Sequence, residues 1–239
     1  MPRVVSLVPS ITETLVALGA PPVGCTRFCE QPGIPTVGGT KNPDIAAVER
    51  LLPHVVLVND EENRREDVEA LDRMGIHMVS VSPRTVEDVG DAVLAIAAAA
   101  EVDPPDGFDR PSWKGWLEEH RCAPRGVPTF VAVWARPWIT MNAQTYGSSL
   151  LDLLGVELLY PSASDRYPEV RLDEVREQGP GLVILPTEPY PFKDHHAERV
   201  REAFPDATVT VMDGQDLFWW GLRTPHAVRR LTAALAGLA

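Results

Sequence analysis

Val55-Val56-Leu57-Val58, with Glu61 three residues beyond it, returns as Leu182-Val183-Ile184-Leu185 with Glu188 equally far beyond. The offset is about 127 positions, and a period of that length marks a repeated domain rather than a short solenoid unit. Each run is apolar, four residues long and rich in branched side chains, which predicts a strand buried on both faces. Reading outward, residues 68–74 and 78–81 reappear as 197–204 and 208–212. Residues 42–52 reappear as 167–178, and 4–8 as 129–134.

Local signals fill in the helices. Ser10 with Glu13 has the spacing of a capping box, and Ile11, Leu15 and Leu18 share a helical face that Gly19 ends. Residues 150–154 with Gly155 repeat that helix and its stop. Asn42 with Pro43 predicts a helix start, its buried stripe being Ile45, Val48 and Leu52. Strand, helix, strand, helix, strand, helix, strand is the order in both halves. Such alternation predicts parallel sheets with right-handed crossovers and ligand groups at the carboxyl ends of the strands.

The expected fold is therefore α/β: two Rossmann-like lobes, each a three-layer α/β/α sandwich, joined by a linking helix and offering a cleft between them. Residues 1–84 form the first lobe, 85–126 a helical linker and 127–239 the second lobe. Within the linker, residues 86–101 read as an Ala-rich helix and 111–120 as a short amphipathic one. Pro104-Pro105-Asp106-Gly107 separates them.

Bulk properties narrow the function. A net charge of −12 repels a phosphate backbone, so nucleic acid is not an expected partner. The longest uncharged apolar stretch, residues 92–100, is too short to span a bilayer, and membrane insertion is not expected. With no basic, apolar leader ahead of Val4, the expected compartment is the cytoplasm; a periplasmic or extracytoplasmic site is the alternative if a leader has been removed. Cys25, Cys29 and Cys122 are odd in number and lack CxxC spacing, which disfavours a disulfide framework and a structural zinc site. No GxSxG elbow, P-loop, GxGxxG or HExxH is present, so an enzyme is not expected.

Several motifs carry a resemblance that covers nearly the whole chain. Arg3-Val4-Val5-Ser6-Leu7-Val8-Pro9-Ser10 with Glu13, Leu18-Gly19, Val23-Gly24, the 42–58 segment and Leu71 through Gly75-Ile76 resemble the helical-backbone (class III) substrate-binding proteins, among them cobalamin and ferric-siderophore receptors. Arg27-Phe28-Cys29, residues 38–44, Glu61-Glu62-Asn63-Arg64, Arg136-Pro137-Trp138, Arg166-Tyr167-Pro168-Glu169 and Glu188-Pro189-Tyr190-Pro191-Phe192 look like the branch called helical-backbone metal receptors. The resemblance implies a small ligand held between rigidly linked lobes, and docking on an ABC importer. Departures are a shortened linking helix and Asn59 where cobalamin receptors carry an aromatic.

The strand ends collect the candidate ligand-binding residues Phe28, Cys29, Glu61, Glu62, Arg64, Arg136, Trp138, Tyr167, Glu188, Tyr190, Phe192, Trp219 and Trp220. Aromatic faces suit a planar or macrocyclic ligand, and Trp138 and Tyr190 are read as ligand contacts rather than core. In an extended run Trp219 and Trp220 point opposite ways, so one could be core while the other lines the cleft, and core and ligand roles are weighed equally for the pair. Glu61, Glu62, Glu188, Cys29 and the pair His195-His196 could supply metal ligands, but no tight spacing motif joins them and the metal is left undetermined. His195-His196 reads as a solvated surface pair, and Cys29 equally as a small buried hydrophobe. Arg136 beside Trp138 could bind a carboxylate or phosphate in bidentate fashion.

The expected function is non-catalytic binding of a metal chelate or tetrapyrrole-like compound, of the ferric siderophore, haem or cobalamin class. No covalent cofactor is expected, a bound chelate, haem or corrinoid being the group held. The rival is a transferase-type enzyme of two Rossmann-like lobes acting on a small molecule in the cleft.

Overall fold

The apolar runs of both halves become strands of parallel sheets in the computed structural model, which describes residues 1–238. The first half runs β1 (Val4–Ser6), α1 (Pro9–Ala17), β2 (Gly24–Cys25), β3 (Gly38–Gly39), β4 (Asn42–Pro43), α2 (Ile45–Arg50) and β5 (Val55–Val58). It continues with α3 (Arg65–Arg73), β6 (Met78–Ser80), α4 (Val89–Ala99) and α5 (Arg110–His120). The second half runs β7 (Pro128–Val131), β8 (Trp138–Ile139), α6 (Tyr146–Leu153), β9 (Glu157–Leu158), β10 (Glu169–Val170) and α7 (Leu172–Glu177). After these come β11 (Leu182–Pro186), α8 (Asp194–Ala203), β12 (Thr208–Met212), α9 (Gly214–Phe218) and α10 (Thr224–Ala236).

Two compact units result. Unit 1 comprises Met1–Pro83, Glu87–Lys114 and Trp220–Arg223; unit 2 comprises Arg84–Val86, Gly115–Trp219 and the chain from Thr224. The division falls inside α5.

In unit 1 the parallel sheet has the order β2-β1-β5-β6, with Val4 opposite Val55 and Val56 opposite Met78. In unit 2 the order is β9-β7-β11-β12, again parallel, with Thr129 opposite Leu182 and Leu182 opposite Thr208. Val55–Val58 and residues 182–185 thus occupy the same central place in equivalent sheets, as the repeat predicts. The likeness extends to small antiparallel ladders before α2 and α7: β3 pairs with β4, and β8 with β10.

Burial follows the sequence pattern. All four residues of β5 and all five of β11 are buried, as expected of strands covered on both faces. Val5, Leu7, Val56 and Val58 pack with Val48 of α2 and Leu71 of α3. Phe130, Val183 and Leu185 pack with Val175, Val200 and Phe204 in unit 2. Gly19 and Gly155 end equivalent helices with φ of 72° and 75°, a left-handed turn that costs glycine nothing.

Three local expectations are corrected. The first helix begins at Pro9, with Val8 as an N-cap that makes no side-chain bond, so Ser10 lies inside the first turn and does not cap. A working capping box occurs instead at Thr145 and Ser148 of α6. Asn42 and Pro43 form β4; the cap of α2 is Asp44, whose carboxylate accepts from Ala47 N at 2.9 Å. Leu52 is 75% exposed at a φ of 47°, past the end of that helix, and belongs to no buried stripe.

Candidate ligand-binding site

At the carboxyl end of β7 in unit 2 the chain passes through Trp134 and Arg136, then returns as β8. Val133 N donates to Ile139 O at 2.8 Å and fixes this reversal. It places Trp134 and Trp138 beside the segment that leaves β11. That segment is held in turn by Thr187, whose N donates to Met212 O and whose Oγ1 accepts from Gly214 N, both at 2.9 Å.

The rings that meet here form one continuous cluster. Trp134 meets Tyr190 edge-on at 5.3 Å between centroids, Tyr190 is 4.6 Å from Phe192, and Phe192 stacks on Trp138 at 6.0 Å and 15°. These are geometries aromatic quadrupoles favour. His196 of α8 backs the cluster edge-on at 5.6 Å from Tyr190 and 5.8 Å from Phe192. Phe192 is buried and anchors the group, whereas Trp138 and Tyr190 are half-buried and Trp134 is 39% exposed. Rings held from below and open above can accept a flat apolar face.

Glu188 has specific partners within unit 2. Trp219 Nε1 donates to its Oε2 at 3.1 Å and Gln215 Nε2 to its Oε1 at 3.3 Å. Of the adjacent tryptophans, Trp219 is half-buried here and Trp220 is core, 5% exposed in unit 1, so the pair divides as extended geometry predicts. Arg136 is exposed at a φ of 73° next to the cluster, and Tyr167 is exposed just before β10, the partner strand of β8.

In unit 1 the carboxyl ends are tied together by two buried asparagines. Asn63 Nδ2 donates to Leu7 O and Thr40 O at 3.1 and 3.0 Å, its Oδ1 accepts from Asn59 N, and Asn59 Nδ2 reaches Val81 O at 3.0 Å. Asn59 Oδ1 accepts from the backbone N of Glu61 and Glu62 at 2.8 and 3.2 Å, which orders that turn. The loop-ordering role accounts for a buried polar residue at position 59. Lys41 Nζ donates to Glu61 O. Phe28 is 48% exposed after β2, with the Arg27 guanidinium 4.8 Å from its ring centre.

Other candidates lie elsewhere. Arg64 turns to the start of α3, where Nε donates to Asp67 Oδ2 at 2.8 Å; that hydrogen bond raises its pKa further. Cys29 is 1% exposed beneath the surface that carries Phe28. His195 is exposed, as expected. Among the described residues, no three His, Cys, Asp or Glu side chains gather in a way that could hold a metal ion.

Trp134 is the ring that sequence reasoning missed, because it reads as the last residue of a buried strand. The signal available was the following Arg136-Pro137-Trp138, which ends a strand early. Among the described residues, the aromatic side chains that count as exposed are Phe28, Trp134 and Tyr167, each in a connection next to strands of the sheets or ladders.

No protein-family model matches the chain. Among curated proteins it is similar to the vitamin B12-binding protein of Vibrio vulnificus, 24% identical over 193 residues that span 77% of this chain and 70% of the relative. Among solved structures it superposes on the periplasmic vitamin B12 binding protein BtuF of Vibrio cholerae with a TM-score of 0.79 at 18% identity, covering 99% of this chain and 97% of that one. It also superposes on the periplasmic heme-binding protein RhuT of Roseiflexus sp. RS-1, TM-score 0.80 at 17% identity, covering 99% and 98%.

These likenesses correct the expectation of a cytoplasmic location, since the similar solved structures are of periplasmic proteins. That expectation rested on where the sequence begins, which does not report a compartment. All three relatives are binding proteins, in keeping with a chain that was not expected to be an enzyme. The chain shares the fold of these periplasmic binding proteins and is similar in sequence to the vitamin B12-binding protein.

Proposed function

We propose that this protein reversibly binds a metal chelate with large flat faces, of the haem or corrinoid class, and presents it to an ABC importer. The observation that carries this reading is the ring cluster Trp134, Trp138, Tyr190 and Phe192, anchored by a buried phenylalanine and open on its outer side. It lies at the carboxyl ends of parallel strands, where α/β sheets take their ligands. The relatives that bind vitamin B12 and haem support the ligand class. Exposed Phe28 with Arg27, at the carboxyl end of β2, offers unit 1 a smaller surface of the same kind.

The metal of such a ligand would arrive already held by its own macrocycle. The aromatic cluster would supply apolar contact, and Arg136 a guanidinium for a peripheral carboxylate. Absorption titration with haem and with cyanocobalamin tests the reading. A saturable band shift with one of them is expected, weakened more than about tenfold, or 1.4 kcal/mol, by Trp134→Ala or Tyr190→Ala. Absence of binding to haem, a corrinoid and a ferric siderophore alike would overturn it.

A further inference from the structure

Lys193 is the N-cap of α8 and joins that helix to the segment that carries Tyr190 and Phe192. Phe192 N donates to Tyr190 O at 2.8 Å, and His196 N and Ala197 N donate to Lys193 O at 2.8 and 3.2 Å. Lys193 N itself donates to His196 Nδ1 at 3.0 Å. An imidazole nitrogen that accepts is unprotonated, so this joint is closed only while His196 is neutral. The same imidazole supports the ring cluster from behind: it meets Tyr190 edge-on at 5.6 Å and 71°, and Phe192 at 5.8 Å and 85°. Its neighbour His195, with ring centres 3.9 Å apart, is exposed, whereas His196 is half-buried. One side chain thus closes a helix start and packs two rings of the cluster.

We propose that His196 is a proton-operated latch on the ring cluster: neutral, it holds Tyr190 and Phe192 in the form that accepts ligand, and protonated, it releases them. The ligand half of this statement rests on the reading of the cluster as the binding site. Protonation places an N–H on Nδ1, facing the N–H of Lys193, and two donors cannot share that bond. It also puts a positive charge into the first turn of a helix, where the dipole is already positive.

The surroundings push the same way. The charged groups that act on His196 are bases: His195, Arg199 and Lys193 along its own segment, and Arg136 from the connection between β7 and β8. Tyr190 faces it from the segment after β11. A cation in that company turns outward to water, which withdraws the support from the edges of both rings. Histidine titrates near neutral pH, and here burial first and these positive charges second lower its pKa from 6.5. The accepting form of the cluster is therefore present above the lowered value and is lost as pH falls through it. Linkage is reciprocal: a ligand that prefers the neutral form lowers the pKa of His196 further when it binds.

The test follows nuclear magnetic resonance signals of the isotope-labelled full chain, without ligand, between about pH 8 and about pH 5, a range that brackets a histidine. Trp134 touches Tyr190 and Trp138 stacks on Phe192, so their indole N–H signals report on the cluster. These and the Lys193 amide are expected to move together, with one midpoint below 6.5. In His196→Gln, whose side-chain oxygen accepts at any pH, the movements should be absent. Affinity for haem and for cyanocobalamin is then measured at both ends of the range. For the compound that binds, the wild-type chain should lose at least about fivefold on acidification, and His196→Gln should show no such loss. Should His196→Gln fail to fold, His195→Gln replaces it: the movements should persist, with the midpoint raised because one neighbouring positive charge is gone. Indole signals that stay still while Lys193 titrates, movements that survive in His196→Gln or vanish in His195→Gln, or equal affinity at both pH values would each overturn the latch. If neither compound binds, the ligand reading falls and the indole signals alone decide whether the latch stands.

Discussion

Trp219 Nε1 donates to Glu188 Oε2 at 3.1 Å, joining the end of α9 to the segment that leaves β11. Glu188 is also fitted closely from behind: a Cβ on Gly214 would come within 2.7 Å of its own Cβ. The carboxylate therefore positions an indole ring and does not stand as a lone charge. Glu188→Gln keeps an acceptor for the indole, whereas Glu188→Ala releases it. The alanine variant should lose about 1 kcal/mol of stability and make Trp219 emission more accessible to a neutral quencher, read against Trp219→Phe. Equal quenching in the Gln and Ala variants would contradict this.

Phe192 and Trp134 belong to one ring cluster but differ in burial, and their substitutions should separate stability from binding. Phe192→Ala leaves a cavity in the core of unit 2 and should cost about 3–5 kcal/mol in urea unfolding. Trp134→Ala, at a site 39% exposed, should cost under about 1 kcal/mol while weakening ligand. Two variants with the same stability loss would show that Trp134 is part of the core.

His196 gives unit 2 an acid-sensitive element. Its pKa is lowered from 6.5, first by burial and then by the positive charges of His195, Arg199, Lys193 and Arg136. Its Nδ1 also accepts from Lys193 N at 3.0 Å, a bond that only the neutral ring can make there. Because the folded value is depressed, the stabilisation is fully present above 6.5 and is lost as pH falls through the lowered folded value. His196→Gln should flatten the fall in urea midpoint below pH 6.5. Parallel acid-side slopes for the two proteins would contradict the assignment.

The sheets were legible because four-residue apolar runs have few alternatives, and because the repeat checks each half against the other. β5 and β12 match their expected spans, and β11 runs one residue further, to Pro186. The two-residue ladders were not legible. Asn42-Pro43 satisfies the rule for a helix start, yet Asp44 supplies a competing cap two residues later, and its bond to Ala47 wins. Ser10 failed as a cap for a related reason: Pro9 already sets the first helical φ, which leaves Ser10 inside the turn. For the site, residue type and distance past a strand pointed to Trp138, Tyr190 and Phe192. Neither reveals depth, so the candidates Phe192, Cys29 and Trp220 are all buried, whereas Trp134, which was not among them, is 39% exposed.

The short piece Trp220–Arg223 belongs to unit 1 although its neighbours on both sides belong to unit 2. Trp220 is buried, Arg223 Nε lies 3.2 Å from Glu13 Oε2 on α1, and Gly221 packs so tightly that a Cβ would come within 2.1 Å of Thr14 Oγ1. Chains are made from the amino terminus, at about 5–20 residues per second. Unit 1 therefore cannot be finished until Arg223 has been added, long after its own sheet has been made. The face of α1 at Thr14 therefore waits for Gly221 while the whole parallel sheet of unit 2, from Pro128 to Met212, is being made.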